Sequence, residues 1–181
     1  MSRIHPKLSL ADLAGLICAA LDQAGIEAVL SGGSVVSIYS DNAYQSFDLD
    51  FIRTGLGRKV DAAMDGLGFR RQGRHWVHDG TPYLVELPPG PVQIGELTIT
   101  EFAEKETKLG TLRMLTPTDC VMDRLAWFYH SNDAQGLAQA LEVARRHDVD
   151  LSRIARWSEG ERAAEKFRAF RRELRKREKA R

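Results

Sequence analysis

The residues best able to do chemistry lie in one stretch, Val29 to Arg53, with the sequence VLSGGSVVSIYSDNAYQSFDLDFIR. Gly32-Gly33-Ser34 follows a short apolar run, and Asp48-Leu49-Asp50 comes fourteen residues past Ser34 inside a second one. Phe47 to Ile52 alternates apolar and acidic residues. Period two puts Phe47, Leu49 and Phe51 on one strand face and Asp48 and Asp50 on the other. Two acids one pleat apart repel each other, so the strand gains nothing from them unless something positive binds. Mg2+ (or Mn2+) suits such a pair, because it takes one or two carboxylates together with phosphate oxygens and water. Gly32 and Gly33 let the backbone approach a phosphate closely, and the free N–H groups of a following helix favour an anion. The Ser34 hydroxyl adds a hydrogen bond. A third acid, Glu86, sits inside the apolar run Tyr83–Leu87, an expensive place for a carboxylate without a partner. From a neighbouring strand it would complete a two-metal site. Asp-x-Asp alone also fits a half-exposed strand, and Gly-Gly-Ser alone fits a tight turn; only their combination at this spacing points to metal and phosphate.

The surrounding elements follow from periodicity and caps. Ser9 caps a helix with Asp12 in a variant capping box, and Leu13, Leu16, Ile17, Ala20 and Leu21 recur at helical spacing up to Gly25. Ile26 to Leu30 is a strand, Val35 to Tyr39 a helix, Ser40-Asp41-Asn42 a loop, and Phe47 to Ile52 a strand. Arg58 to Leu67 is a helix with Val60, Ala63, Met64 and Leu67 inward. Phe69 to Val77 reads as one strand, His78-Asp79-Gly80 as a hairpin turn, and Tyr83 to Leu87 as the next strand, stopped by Pro88-Pro89-Gly90-Pro91. Strand pieces are expected at Val92–Ile94, Leu97–Thr100 and Leu112–Leu115, with Glu101 to Lys108 a loop or short helix. Thr116 and Pro117 then open a helical region: about Pro117–His130, Asp133–His147, Leu151–Ser158 and Glu161–Lys179. The class is α+β. Residues 1–115 form an α/β domain, and 116–181 form a helical domain ending in a basic helix.

Composition bounds the rest. The chain has 181 residues, 43% hydrophobic and 28% charged, long enough to bury a real core. Net charge is +1, but it is unevenly spread. Residues 161–181 carry ten Lys/Arg against four Glu, leaving a mildly acidic body. That tail reads as an amphipathic helix whose Phe167, Phe170 and Leu174 dock on the body; its Arg/Lys face is also the kind that meets RNA phosphate. Cys18 and Cys120 match no metal or disulfide spacing and read as buried thiols. His75, His78, His130 and His147 show no ligand spacing and read as surface or turn residues. Trp76, Trp127 and Trp157 read as core. No signal-peptide h-region and no long uncharged apolar stretch is present, so a cytoplasmic protein without a membrane partner is expected.

The pattern of an apolar strand, Gly-Gly-Ser, a helix, Asp-x-Asp in a strand and a later acid in another strand resembles the nucleotidyltransferase fold of DNA polymerase β type. It is most similar to the minimal bacterial groups, the abortive-infection type II toxin-like and aminoglycoside-type nucleotidyltransferases. The resemblance covers about residues 21–90 and extends loosely to the helices. Gly33 and Ser34 match the Gly-Ser motif, Asp48 and Asp50 the metal-binding acids, and Glu86 the third acid, commonly Asp. The chain departs from the toxin-like pattern in two places. Gln45-Ser46-Phe47 stands where Arg-Thr-Ser is usual, and Arg124 stands where an early Lys of the first C-terminal helix contacts phosphate. The resemblance implies a fold with a mixed sheet and flanking helices. It implies Mg2+ or Mn2+ on Asp48, Asp50 and Glu86, an NTP held by Gly32, Gly33, Ser34 and Arg124, and transfer of NMP to a hydroxyl of a small molecule, a tRNA or a protein. The alternative is an inactive module that binds nucleotide or a partner, such as an antitoxin.

Overall fold

The computed structural model describes residues 4–178. The last residues expected in the basic helix, beyond 178, lie outside the described residues, as do residues 1–3. Helix α1 (Leu10–Gln23) starts where Ser9 can cap it: the Ser9 hydroxyl accepts from the Asp12 N–H at 3.1 Å and donates to the Asp12 carboxylate at 2.8 Å. Its apolar stripe of Leu13, Leu16, Ile17 and Leu21 is buried, and Gly25 leaves the helix at a positive φ of 71°. The chain continues through β1 (Ala28–Ser31), α2 (Gly32–Tyr39), β2 (Asp48–Arg53) and α3 (Gly57–Gly66). Gly32-Gly33-Ser34 is thus the first turn of α2 rather than a turn before it.

Among the described residues the main sheet has seven strands in the order β3 (Arg70–Gln72), β4 (His75–Val77), β5 (Leu84–Glu86), β2, β1, β9 (Gly110–Met114) and β8 (Ala103–Thr107). β2 runs antiparallel to β1 and parallel to β5 (Leu84–Glu86), and β1 runs parallel to β9 (Gly110–Met114). Two expectations change here. Phe69 to Val77 is two short strands, β3 (Arg70–Gln72) and β4 (His75–Val77), because the chain reverses at Gly73, which takes a φ of 65°. The turn at His78-Asp79-Gly80 forms, with the Gly80 N–H donating to His78 Nδ1 at 2.8 Å, but it lies within the longer link from β4 to β5. The stretch Glu101–Lys108 contains an edge strand, β8 (Ala103–Thr107), paired with β9. Its run of charges suits an exposed edge that must not pair further. A separate hairpin, β6 (Gln93–Ile94) and β7 (Leu97–Thr98), buries Ile94 and Ile99.

Helices α4 (Pro117–Ser131), α5 (Ala134–Arg146), α6 (Leu151–Gly160) and α7 (Ala164–Glu178) follow the anticipated order. Thr116, Asp133 and Asp150 cap the first three. Helix α2 packs on α4 and α5, and α7 packs on α5 and α6 through Phe167, Phe170 and Leu174. A single cluster of buried side chains runs from α1 through the sheet to α7. Cys18 and Cys120 are both buried in it. Trp76 and Trp157 are core residues as expected, but Trp127 is 54% exposed on α4. Phe47 is 55% exposed too. It precedes β2 and stacks on Tyr83 with ring centroids 5.9 Å apart instead of joining Leu49 and Phe51 in the core. No helix of the described residues is long and apolar enough to cross a membrane.

Candidate active site

Strand register sets the site. Ser31 of β1 lies opposite Asp50 of β2, Asp50 beside Glu86 of β5, and Glu86 opposite His75 of β4. Neighbours in register share a face, and the face alternates along each strand. Asp48, Asp50, Glu86 and His75 therefore project to one side of the sheet, while Leu49, Phe51, Val85 and Trp76 are buried on the other.

At the end of β1 the chain turns into α2 at Gly32, with a φ of 72°. A Cβ there would stand 2.7 Å from the Asp50 carboxylate, so both the backbone conformation and the close approach require glycine. The Ser31 hydroxyl donates to the Asp50 carbonyl at 3.0 Å, tying the turn to β2. No side chain caps α2, which leaves its first N–H groups available to an anion. Ser34 is buried, and its hydroxyl donates back to the Ser31 carbonyl at 3.1 Å. Gly33 packs against Ser46, whose hydroxyl accepts from the Asp48 N–H at 3.3 Å. The loop before β2 is further held by Tyr44, whose hydroxyl accepts from Gln135 of α5 at 3.1 Å.

Charge is concentrated around Asp50. Burial pushes its carboxyl up to about 6, the neighbouring Glu86 and Asp48 carboxylates push the same way, and Arg124 opposes them. Asp48 is exposed at the mouth. Both neighbours of Glu86 converge on one oxygen: His75 Nε2 lies 2.8 Å and Arg74 Nε 3.2 Å from Oε1. Arg124 is mostly buried. Its guanidinium donates to Asp123 at 3.0 Å and to Gln139 at 3.3 Å, and its charge acts on Asp50. Among the described residues no three His, Cys, Asp or Glu side chains are grouped to hold a metal ion. The donor set present is a pair of carboxylates at alternate positions of one strand. That fits Mg2+, whose remaining positions are filled by water and phosphate, and the excess negative charge at Asp50 is the kind a cation relieves.

Sequence reasoning placed the acids and the glycines but missed four partners. Arg74, His75, Asp123 and Ser46 all contact or act on the site residues. The reversal at Gly73 makes β4 a separate strand, with Gln72 opposite His75, and it is the pairing of β4 with β5 that sets His75 opposite Glu86.

Comparison with known proteins bears on the fold. An antigenic nucleotidyltransferase-like protein from Paracoccidioides brasiliensis superposes with a TM-score of 0.55 over 77% of each chain, at 15% identity. Two structures of ANT(2'')-Ia also match. One is a solution structure of this antibiotic-resistance factor (19% identity, 94% of this chain and 93% of that one, TM-score 0.45). The other is its complex with adenylyl-2''-tobramycin (15% identity, 90% and 94%, TM-score 0.47). No family model and no curated protein matches the sequence. The chain has a mixed α+β fold of the nucleotidyltransferase-like type. The toxin-like subtype has no counterpart in these matches.

Proposed function

We propose that the protein is a metal-dependent nucleotidyltransferase that moves NMP from an NTP to an acceptor hydroxyl. The observation that carries the proposal is the shared sheet face of Asp48, Asp50 and Glu86, with Asp50 packed against the glycine turn at the start of α2. Asp48 and Asp50 would hold Mg2+ or Mn2+. When bound, the ion would neutralise and orient the triphosphate. The backbone N–H groups of Gly33 and Ser34 favour the phosphates, with Gly32 giving the close approach. Arg124 adds positive charge behind them. Glu86, oriented through Oε1 by Arg74 and His75, accepts the acceptor's proton. The acceptor oxygen then bonds to the α-phosphorus as the bond to pyrophosphate breaks. An NTP-dependent enzyme of this kind is expected in the cytoplasm.

One observation favours a second reading, a module that binds nucleotide or a protein partner such as an antitoxin without turnover. Arg124, where a phosphate-binding lysine is usual, is already engaged by Asp123 and Gln139. The two readings separate in one assay. Protein is incubated with α-32P-labelled NTPs, Mg2+ and panels of small hydroxyl compounds, tRNA and protein. Transfer that disappears in Asp48→Asn/Asp50→Asn supports the transferase. Nucleotide binding without transfer supports the module, and transfer that survives the double variant removes this site from the reaction.

A further inference from the structure

The carboxylate face does not end at Asp50 and Glu86. Along the same face the next register level is Val29 of β1 beside Ile52 of β2. The level after that joins Glu27 to Thr54, whose N–H donates to the Glu27 carbonyl at 2.8 Å. The β2–β5 ladder also continues, through a parallel bridge between Arg53 and Pro89 and the Gly90 N–H bonded to the Arg53 carbonyl at 2.8 Å. These two levels form the floor of a cavity of about 280 Å3. Its roof is the segment carrying the β6–β7 hairpin, through Val92, Ile99 and Phe102. Two residues along an antiparallel strand advance about 6.8 Å. The cavity floor therefore begins one side chain beyond Asp50.

The lining sets the class of occupant. Val29, Ile52, Val92, Ile99 and Phe102 are apolar. Two of the polar groups among them are engaged: Thr54 Oγ1 accepts from the Glu27 N–H at 3.0 Å, and Arg53 donates to the carbonyls of Leu87 and Gly55 at 2.9 and 2.7 Å; Glu27, exposed at the edge of the lining, is the acid there. Thr98 and Thr100 stand exposed at the rim. An apolar cavity of about 150 Å3 is enough to bind benzene, so this one has room for a single ring or a branched aliphatic group. A nucleic-acid end finds no free positive charge inside it, and a polycation finds only the exposed carboxylate of Glu27 at the edge, with apolar groups beyond.

We propose that this cavity is the acceptor subsite, and that the acceptor is a small alcohol whose hydroxyl reaches Glu86 while an apolar ring or branched chain, about one strand level away, fills the space between Ile52 and Ile99. The proposal rests on the transferase reading for the role of Glu86; the binding itself does not.

The test is methyl NMR of the full chain titrated with 2-phenylethanol. Saturable shifts are expected at the methyls of Val29, Ile52 and Ile99, with a dissociation constant on the order of 1–10 mM for so small a ligand. Thr100→Trp, introduced from the exposed rim, should abolish them with the other methyl resonances in place. Thr98→Trp serves the same purpose from the other side should the first variant fail to fold. Asp48→Asn should leave the shifts intact. In the label-transfer assay a filled cavity should raise KM for ring-bearing alcohols roughly tenfold or more and leave KM for the NTP unchanged. Absence of saturable shifts at these methyls, or shifts that persist in a folded rim variant, overturns the subsite. Transfer to a polycation or tRNA with no probe binding overturns it and leaves the transferase standing. Probe binding without transfer to any alcohol keeps the cavity as a binding site and overturns the transferase reading on which its acceptor role depends.

Discussion

Asp50 carries a carboxyl that its surroundings hold well above the usual range. Its folded-state carboxyl titrates near 6 against an ordinary 3.8, because burial and two neighbouring carboxylates disfavour the ion. A raised folded value means that Asp50 imposes no penalty below pH 3.8 and an increasing one as pH rises through 6. Asp50→Asn should therefore stabilise the metal-free protein by about 1–2 kcal/mol at pH 7.5, allowing for partial solvent screening. The gain should vanish at pH 4. Denaturant titrations in chelator at the two pH values measure it, and a variant no more stable than the parent at pH 7.5 would show that Asp50 is not strained. The same variant should lose nucleotidyl transfer. Gly32→Ala tests the other side of this contact. The substitution forces an alanine to a φ of 72° and places its methyl on the Asp50 carboxylate. A loss of about 1–3 kcal/mol is expected by the same denaturation, along with loss of NTP binding by calorimetry.

At the scale of elements, legibility followed the strength of local signals. Helices announced themselves by caps: Ser9 and Thr116 each accept from the N–H three residues on, at 3.1 Å in both cases. Thr116→Ala should cost about 1 kcal/mol in thermal or chemical unfolding, and an unchanged midpoint would mean that Pro117 alone fixes the start of α4. The alternation in Phe47–Ile52 put Asp48 and Asp50 on one face, and Glu86 stood out only as an acid inside another apolar strand; that this strand lies beside β2 comes from the sheet order. The rest of the site was not legible, because it depends on which strands are neighbours. Arg74 and His75 reach Glu86 only once β4 reverses at Gly73 and pairs with β5. Arg124 was visible as a candidate, but its contact with Gln139 depends on how α5 packs on α4. β8 was hidden for a different reason. A solvent-exposed edge carries charge where an inner strand carries valine, so Ala103–Thr107 has no apolar periodicity to read.

Across the whole molecule the helical half and the sheet half share buried surface. Tyr39 of α2 donates to the Leu115 carbonyl at 2.8 Å, and His147 beyond α5 contacts the Tyr39 carbonyl at 2.7 Å. Gln135 reaches across to Tyr44, just before the first carboxylate. The two cysteines sit on either side of this seam, Cys18 in α1 and Cys120 in α4, and burial pushes both thiols up, Cys18 to about 11. Neither can react with a thiol reagent in the native state, so each becomes a clock for the opening of its own half. With one shared core, both clocks should keep the same time: mass spectrometry of pulse-alkylated protein should find singly modified chains scarce at every denaturant concentration. Abundant chains labelled only at Cys120 would reveal helices that lift away from an intact sheet, exposing the carboxylate face without unfolding it.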